Sequence, residues 1–306
     1  MLVALTGASG FIGSYTAAAL NKAGHEVRAL VRETSPRDHI AAHVSEWRVG
    51  DVADPQAMAG LVAGADAVIH NAADWDALDR SPATHFERNM LASLRLLEAA
   101  RLAGVGQFLF VSSVAVYHEI LPDRKLDENH VTWPSSIYGA YKAAVELHLK
   151  AYHVTYGMNT SAWRPAAVYG VDPALKNSQW YDLVDRAARG GTIDTPAGGK
   201  ITHVQDVADA LTLAIGDGSV AGEFYNLVDG YMYWQSAAEF AKELTGSNAT
   251  IVDRKGTGPK NQFDTRKAIA FFDAHHHTAA LRRGQAGVRE YVAGLLDAMK
   301  SAGSHP

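Results

Sequence analysis

Tyr138 and Lys142 stand four residues apart in "SSIYGAYKAAVELHLK" (residues 135–150), a spacing that puts a phenol and an ammonium on one face of a helix. Tyr141 is a second phenol nearby, but its partner at the same spacing is Val145. A free tyrosine titrates near ~10, and an adjacent cation favours the phenolate. A phenol tuned in this way can pass a proton to or from a substrate oxygen. A second hydroxyl source lies in "QFLFVSSVAVYH" (107–118), where Ser112 and Ser113 end an apolar run.

The third constellation is "TGASGFIGS", with Gly7, Gly10 and Gly13 directly after the N-terminal apolar run. Its spacing differs by one residue from G-x-G-x-x-G, and it meets the same needs: a tight turn, close approach to a pyrophosphate, and close helix–strand packing. The loop residues Ser9, Phe11 and Ile12 place backbone N–H groups at the positive end of the helix that follows. That predicts a dinucleotide.

Val31 and Arg32, rather than a carboxylate, close the second strand, and a guanidinium there can hold a ribose 2′-phosphate. NADP(H) is therefore favoured over NAD(H), which Glu33 keeps open. In "GDVADP" (50–55), Asp51 is placed beside the adenine and Val52 against its ring. Asp54 before Pro55 reads as a helix N-cap.

The elements that must position these groups are visible as short apolar runs alternating with helical patterns. That alternation predicts βαβ units and a parallel sheet. The expected fold is α/β: a Rossmann-like, doubly wound parallel sheet with a smaller C-terminal substrate-binding lobe. Residues 1–170, joined by 201–228, are assigned to the NAD(P)-binding domain, and residues 171–200 with 229–306 to the lobe. The chain has 306 residues, 47% of them hydrophobic, enough for a large core. No cysteine is present, which excludes disulfide and thiolate chemistry. The net charge of −5 without long like-charge runs argues against nucleic-acid or anionic-membrane partners. No stretch approaches the ~20 apolar residues of a membrane span. A cytoplasmic location is expected.

"TGASGFIG", "NAA" (Asn71, Ala72, Ala73), "VSSVAVYH", "YGAYK", "RPAAVYG" and "HVQDVADA" occur in this order over about residues 1–215. Together they resemble the extended short-chain dehydrogenase/reductase family, also called the NAD-dependent epimerase/dehydratase family. The resemblance implies a catalytic set of Ser113, Tyr138 and Lys142. Tyr138 would be the general acid/base, Lys142 would hold the nicotinamide ribose and lower the phenol pKa, and Ser113 would hold the substrate oxygen. It also places Asn71, Ala72, Ala73, Tyr138, Lys142, Pro165 and Val168 along the cofactor, and Asn89 on the helix behind the site. Asp74, Ser113 and Tyr169 are the candidate substrate contacts.

Val114 and Ala115 stand where the family's 4,6-dehydratases carry an Asp–Glu pair, so that dehydration is not expected. Gly199 stands where sugar-nucleotide enzymes carry an arginine for the diphosphate. These departures and "VRALVR" resemble the carbonyl-reductase branch: an NADP(H)-dependent reductase or dehydrogenase of a small-molecule carbonyl or alcohol. An epimerase of a sugar or sugar nucleotide is the alternative. Trp75, Trp133, Trp180, Tyr231 and Trp234 are aromatics in segments that could face substrate. Glu146, four residues after Lys142, could pair with its ammonium. "HHH" at 275–277 reads as a polar surface turn rather than a metal tract. Segments 82–103 and 138–157 read as two long helices of the kind that pair in family homodimers, although Arg95, Glu98, Arg101 and His148 would keep a monomer soluble.

Overall fold

Apolar runs too short for helices become buried strands. In the computed structural model, which describes residues 1–256 and 261–303, the chain divides into two compact units. The first comprises Met1–Pro165 and Val207–Asn226, the second Ala166–Asp206 and Leu227–Pro306. The sequence-based boundaries lay at 170/171, 200/201 and 228/229.

The first unit is built on strands β1 (Leu2–Thr6), β2 (Glu26–Val31), β3 (Glu46–Val49), β4 (Ala67–His70), β5 (Gln107–Val111) and β6 (Asn159–Pro165). With β10 (Phe224–Leu227) they form a seven-stranded sheet in the order β3-β2-β1-β4-β5-β6-β10. The pairs β1/β2, β2/β3, β1/β4, β4/β5 and β5/β6 are parallel. The central strands are buried on both faces, which is why "VAL" and "AVI" read as unbroken apolar runs rather than alternating ones. The sheet is α/β and Rossmann-like. Its winding reverses between β1 and β4, the switch point outside whose carboxyl strand ends ligands bind in open α/β sheets.

Helices α1 (Phe11–Lys22) and α2 (Pro55–Val62) follow β1 and β3. Asp54 caps α2 by accepting from the Gln56 N–H at 2.9 Å, ahead of Pro55 at the first helical position. The segment expected as one helix over 82–103 is instead interrupted. After the short α3 (Trp75–Arg80), α4 (Pro82–His85) passes into a π-helical turn, Phe86–Leu91, and then into α5 (Ala92–Leu102). Such a turn inserts one extra residue and re-aims the side chains within it. Helix α6 (Ile137–Tyr156) begins with Ser136 accepting from the Gly139 N–H at 3.0 Å and ends in left-handed Gly157. Leu96, Phe108, Phe110, Val145 and Leu149 lie in the core between sheet and helices.

The second unit holds a three-stranded sheet of β7 (Ala167–Tyr169), β9 (Gly198–His203) and β11 (Gly230–Tyr233), and the pair β8 (Thr192–Ile193) with β12 (Thr250–Ile251). Its helices are α7 (Tyr181–Ala188), α9 (Gln235–Thr245), α10 (Arg266–Ala274) and α11 (Gly284–Ser301). Helix α8 (Val204–Leu213) begins at the edge of this unit and continues into the first. Tyr169, Trp180, Val184, Tyr291 and Leu295 are among its core residues.

Candidate active site

The glycine loop is shaped by two close approaches. Gly7 sits at φ +70°, and a Cβ there would lie 2.9 Å from the Ala72 backbone nitrogen. A Cβ on Gly13 would lie 1.9 Å from the Gly7 carbonyl oxygen, so the first turn of α1 packs directly on the loop. Gly10 caps α1 without a side-chain acceptor. The N–H groups at the start of a helix have no partner within it. A cradle open to backbone approach, at the positive end of a twelve-residue helix, suits a pyrophosphate.

Asn71 and Ala72 are held against this loop by Thr6, whose hydroxyl oxygen accepts from both backbone N–H groups at 3.1 Å. The polarity of the network behind Thr6 follows from its ends. Ser93 donates to the Asn89 carbonyl at 2.6 Å, so at 2.8 Å it accepts from His70 Nε2–H. His70 Nδ1 is then the acceptor for the Thr6 hydroxyl at 2.8 Å. Burial pulls the His70 pKa down to about 3, with the nearby Lys142 charge acting in the same direction. His70 is therefore a neutral tie between the glycine-loop side and the π-helical turn.

Arg32 leaves the end of β2 exposed, its backbone N–H donating to Ser35 Oγ at 3.2 Å. Arg28, earlier on β2, points inward instead, donating to Glu46 at 2.7 Å and to the Leu61 and Ala63 carbonyls. Asp51 accepts from the Ala53 N–H at 2.8 Å, and Val52 packs at the margin of the core. Arg88, which the sequence analysis did not single out, donates to Asp51 at 2.7 Å and to Asp74 at 2.8 Å. The π-helical turn aims it there. No periodicity in "HFERNML" signals an inserted residue, so the sequence carried no marker for this contact.

At the end of β5 the two serines separate. Ser112 donates to Glu146 at 2.5 Å and is buried. Ser113 accepts from the Ala115 N–H at 3.1 Å and is hydrogen-bonded to Tyr138. Accepting from Ala115 leaves the Ser113 hydroxyl its proton to donate to the phenol or a substrate oxygen, and one further lone pair. Glu146 does not pair with Lys142 as expected. It forms a buried two-point ion pair with Arg164, Nε to Oε1 at 2.8 Å and Nη2 to Oε2 at 2.7 Å. Arg164 on β6 offers a planar fork that a lysine cannot.

Lys142 donates to the Val111 carbonyl at 2.7 Å. Its Nζ lies 4.5 Å from the Phe110 ring centroid, 4.9 Å from Tyr141 and 5.5 Å from Tyr138. Burial pulls its pKa down to about 7, against the opposing pull of Glu146. The expected lowering of the Tyr138 pKa by this ammonium is not found. Burial pushes the phenol up to about 12, and Ser113 is the group that opposes the rise. The reason is positional: Lys142 lies over the ring face and is committed to Val111. Tyr141 is 3% exposed and packs edge-on against Phe110 and His85, a core residue.

Asp74, a candidate substrate contact, caps α3 through the Ala77 N–H at 3.1 Å, and its carboxylate is held by Arg88. Asn89 fixes the same residue's backbone, accepting its N–H at 2.6 Å and donating to its carbonyl at 2.9 Å. Trp75 lies on the Tyr138 ring, centroids 5.1 Å apart and planes 26° apart.

Pro165 closes β6, whereas Val168 and Tyr169 belong to the second unit. Tyr169 is fully buried there, stacked on Trp180 at 5.8 Å and edge-on to His203 and Tyr291. Its expected role as a substrate contact is corrected to core packing, and the same holds for the 6% exposed Trp180. His275, first of the three histidines, packs on Phe271 with ring centroids 4.5 Å apart. Among the described residues no helix is long and apolar enough to cross a membrane.

The profile of the NAD dependent epimerase/dehydratase family matches residues 3–227. A dTDP-glucose 4,6-dehydratase of Actinoplanes sp. is 30% identical over 298 residues, covering 87% of this chain and 90% of that one. A 2-alkyl-3-oxoalkanoate reductase of Stenotrophomonas maltophilia is 31% identical over 177 residues, 56% of this chain and 52% of that one. The UDP-glucose 4-epimerase of Thermus thermophilus, solved in complex with NAD, superposes with a TM-score of 0.77 at 26% identity, covering 97% of this chain and 100% of that one. The glycine cradle and the residues Ser113, Tyr138 and Lys142 lie within the matched span, and the chain belongs to the NAD-dependent epimerase/dehydratase family of extended short-chain dehydrogenase/reductase enzymes.

Proposed function

We propose that this enzyme is an NADP(H)-dependent reductase of a small-molecule carbonyl, with the reverse alcohol oxidation as its slower direction near neutral pH. The bound dinucleotide supplies the hydride. The chain's own residues do the rest. Ser113 would orient the carbonyl oxygen by donating its hydroxyl proton to it. Tyr138 gives its phenolic proton to that oxygen as negative charge develops. Lys142, held by the Val111 carbonyl, is proposed to bind the nicotinamide ribose and to return the proton. The observation that supports this reading is the placement of Tyr138 beside Ser113 in a site whose burial raises the phenol pKa, which favours the protonated form that an acid catalyst of reduction requires. Alcohol oxidation, the first half of an epimerisation, would need that phenol as a base.

Purified protein assayed for NADPH and NADH consumption against aldehydes, ketones and ketosugars tests the reading. Net oxidation of NADPH by an aldehyde or ketone supports it. No net oxidation with any acceptor, together with cofactor that co-purifies, supports an NAD(P)-dependent epimerase of a sugar or sugar nucleotide instead.

Arg32 is assigned to the 2′-phosphate, with Asp51 and Val52 at the adenine and Ser9, Gly10, Phe11 and Ile12 at the pyrophosphate. Arg37, whose guanidinium reaches the Arg32 and Glu33 carbonyls, adds positive charge to the same strand end. Hydrogen bonds between charged groups are worth about 1.5–3 kcal/mol. Arg32→Ala should therefore raise KM for NADPH by about 10- to 100-fold and leave KM for NADH within a factor of about two, measured side by side. Equal effects on both cofactors would remove the assignment.

A second copy of the chain is the proposed partner of the outer faces of α5 and α6. Leu102, Leu147 and Val154 are 70%, 68% and 74% exposed there. Glu98 and Arg101, expected to keep this face polar, neutralise one another at 2.7 Å. Sedimentation equilibrium should give a dimer for the parent protein and a monomer for Leu147→Glu.

A further inference from the structure

The Trp75 indole lies on the ring of the phenol at the reacting centre, yet it is 60% exposed. A large apolar side chain left open is the exception that asks for an explanation, whereas an indole packed only for stability would be covered. Its placement is over-determined. Asn89 grips both backbone polar groups of the preceding residue, Asp74, and Arg88 grips the Asp74 carboxylate. Asp74 in turn caps the helix that Trp75 begins. Asn89 is itself buried in the π-helical turn, so the segment that carries the indole is tied to the core of the unit.

Two further large apolar side chains close to Tyr138 in the chain are also exposed. Ile137, beside Tyr138 on α6, is 53% exposed, and Trp133, in the segment leading to that helix, is 49% exposed. The same segment closes on the helix start, since a Cβ on Gly139 would lie 2.8 Å from Pro134 Cβ. Neither Ile137 nor Trp133 brings the set of polar groups that would replace the hydration of a sugar ring. A flat apolar group attached to the reacting carbon gains most from such a wall, because it exchanges water for an aromatic face without stranding a hydroxyl.

We propose that Trp75 is a specificity-determining residue whose indole forms the wall against which a planar, apolar substituent of the carbonyl substrate stacks. This rests on the reductase reading for its chemistry but not for its binding geometry, and the two are separable by experiment. Ethyl benzoylacetate and ethyl acetoacetate differ only by phenyl against methyl on the ketone carbon. Each is titrated calorimetrically into protein saturated with NADP⁺, where no hydride is available, and separately assayed for NADPH consumption. The proteins are wild type, Trp75→Ala and Trp75→Phe.

The expected result is that Trp75→Ala weakens the phenyl ketone about tenfold more than the methyl ketone, in Kd and in KM. Trp75→Phe should keep most of the preference. Equal losses for the two ketones, or no detectable binding of the phenyl ketone by wild type, overturn the inference. Phenyl selectivity in the titration without any turnover would leave Trp75 standing and sink the reductase reading. Turnover without any phenyl selectivity would do the reverse.

Discussion

Tyr138→Phe is expected to lose about two to four orders of magnitude in kcat while keeping its fold. Proton transfer from a positioned side chain contributes on this scale. The substitution removes one oxygen and leaves in place the ring that packs between Trp75 and Tyr141. Because burial holds the phenol near 12, the wild-type protein keeps its acid through the whole range from about pH 6 to about pH 10. The wild-type rate of carbonyl reduction should therefore show no fall from phenol ionisation below about pH 10, and single-turnover kinetics across that range would reveal one if it occurred. A variant that keeps more than a tenth of the parent rate would mean that Ser113 or water supplies the proton, and the assignment of Tyr138 would fall.

Lys142→Met should abolish turnover and, at low pH, make the protein more stable. The lysine is 3% exposed, and burial lowers its pKa from 10.5 to about 7. That gap corresponds to at most about 5 kcal/mol carried by the fold as the cost of a buried ammonium. Its sign is fixed by linkage. Below about pH 7 folded and unfolded chains both hold the proton and the cost is complete. Between about 7 and 10.5 the unfolded chain holds more protons, so stability rises with pH, and above 10.5 the cost is gone.

Methionine removes the charge but strands the Val111 carbonyl, a loss of about 1–3 kcal/mol. Denaturant midpoints should thus show the variant about 2 kcal/mol or more stabler than wild type near pH 6, with the order reversed near pH 10.5. Parallel stability curves at all pH values would show that Lys142 titrates normally. A buried cation this close to the phenol has no packing advantage over methionine, so on the proposed mechanism Lys142 gives up stability for chemistry.

Much of this site was legible in the chain because it depends on local spacing. Tyr138 and Lys142 share a helix face by virtue of about 3.6 residues per turn, and Gly7 and Gly13 mark a loop that admits no Cβ. Buried parallel strands announce themselves as apolar runs, and Asp54 before Pro55 announces a helix start. Ordered motifs along the first two-thirds of the chain were enough for the family.

Long-range placement was decided elsewhere. Glu146 sits one helical turn from Lys142 in sequence, yet Arg164, eighteen residues on, takes its carboxylate because β6 brings a bidentate fork to it. Tyr169 looked like a substrate contact from its neighbours in the chain, and its burial comes from Trp180 and Tyr291, residues that meet it only in the folded unit. Arg88 reaches Asp51 and Asp74 because a π-helical turn rotates it, a change of one backbone hydrogen-bond step that leaves no trace in composition. The protonation of Tyr138 and Lys142 belongs to the same class. Spacing sets which groups are neighbours, but desolvation depends on everything packed around them, and here it outweighs the attraction that spacing alone suggests.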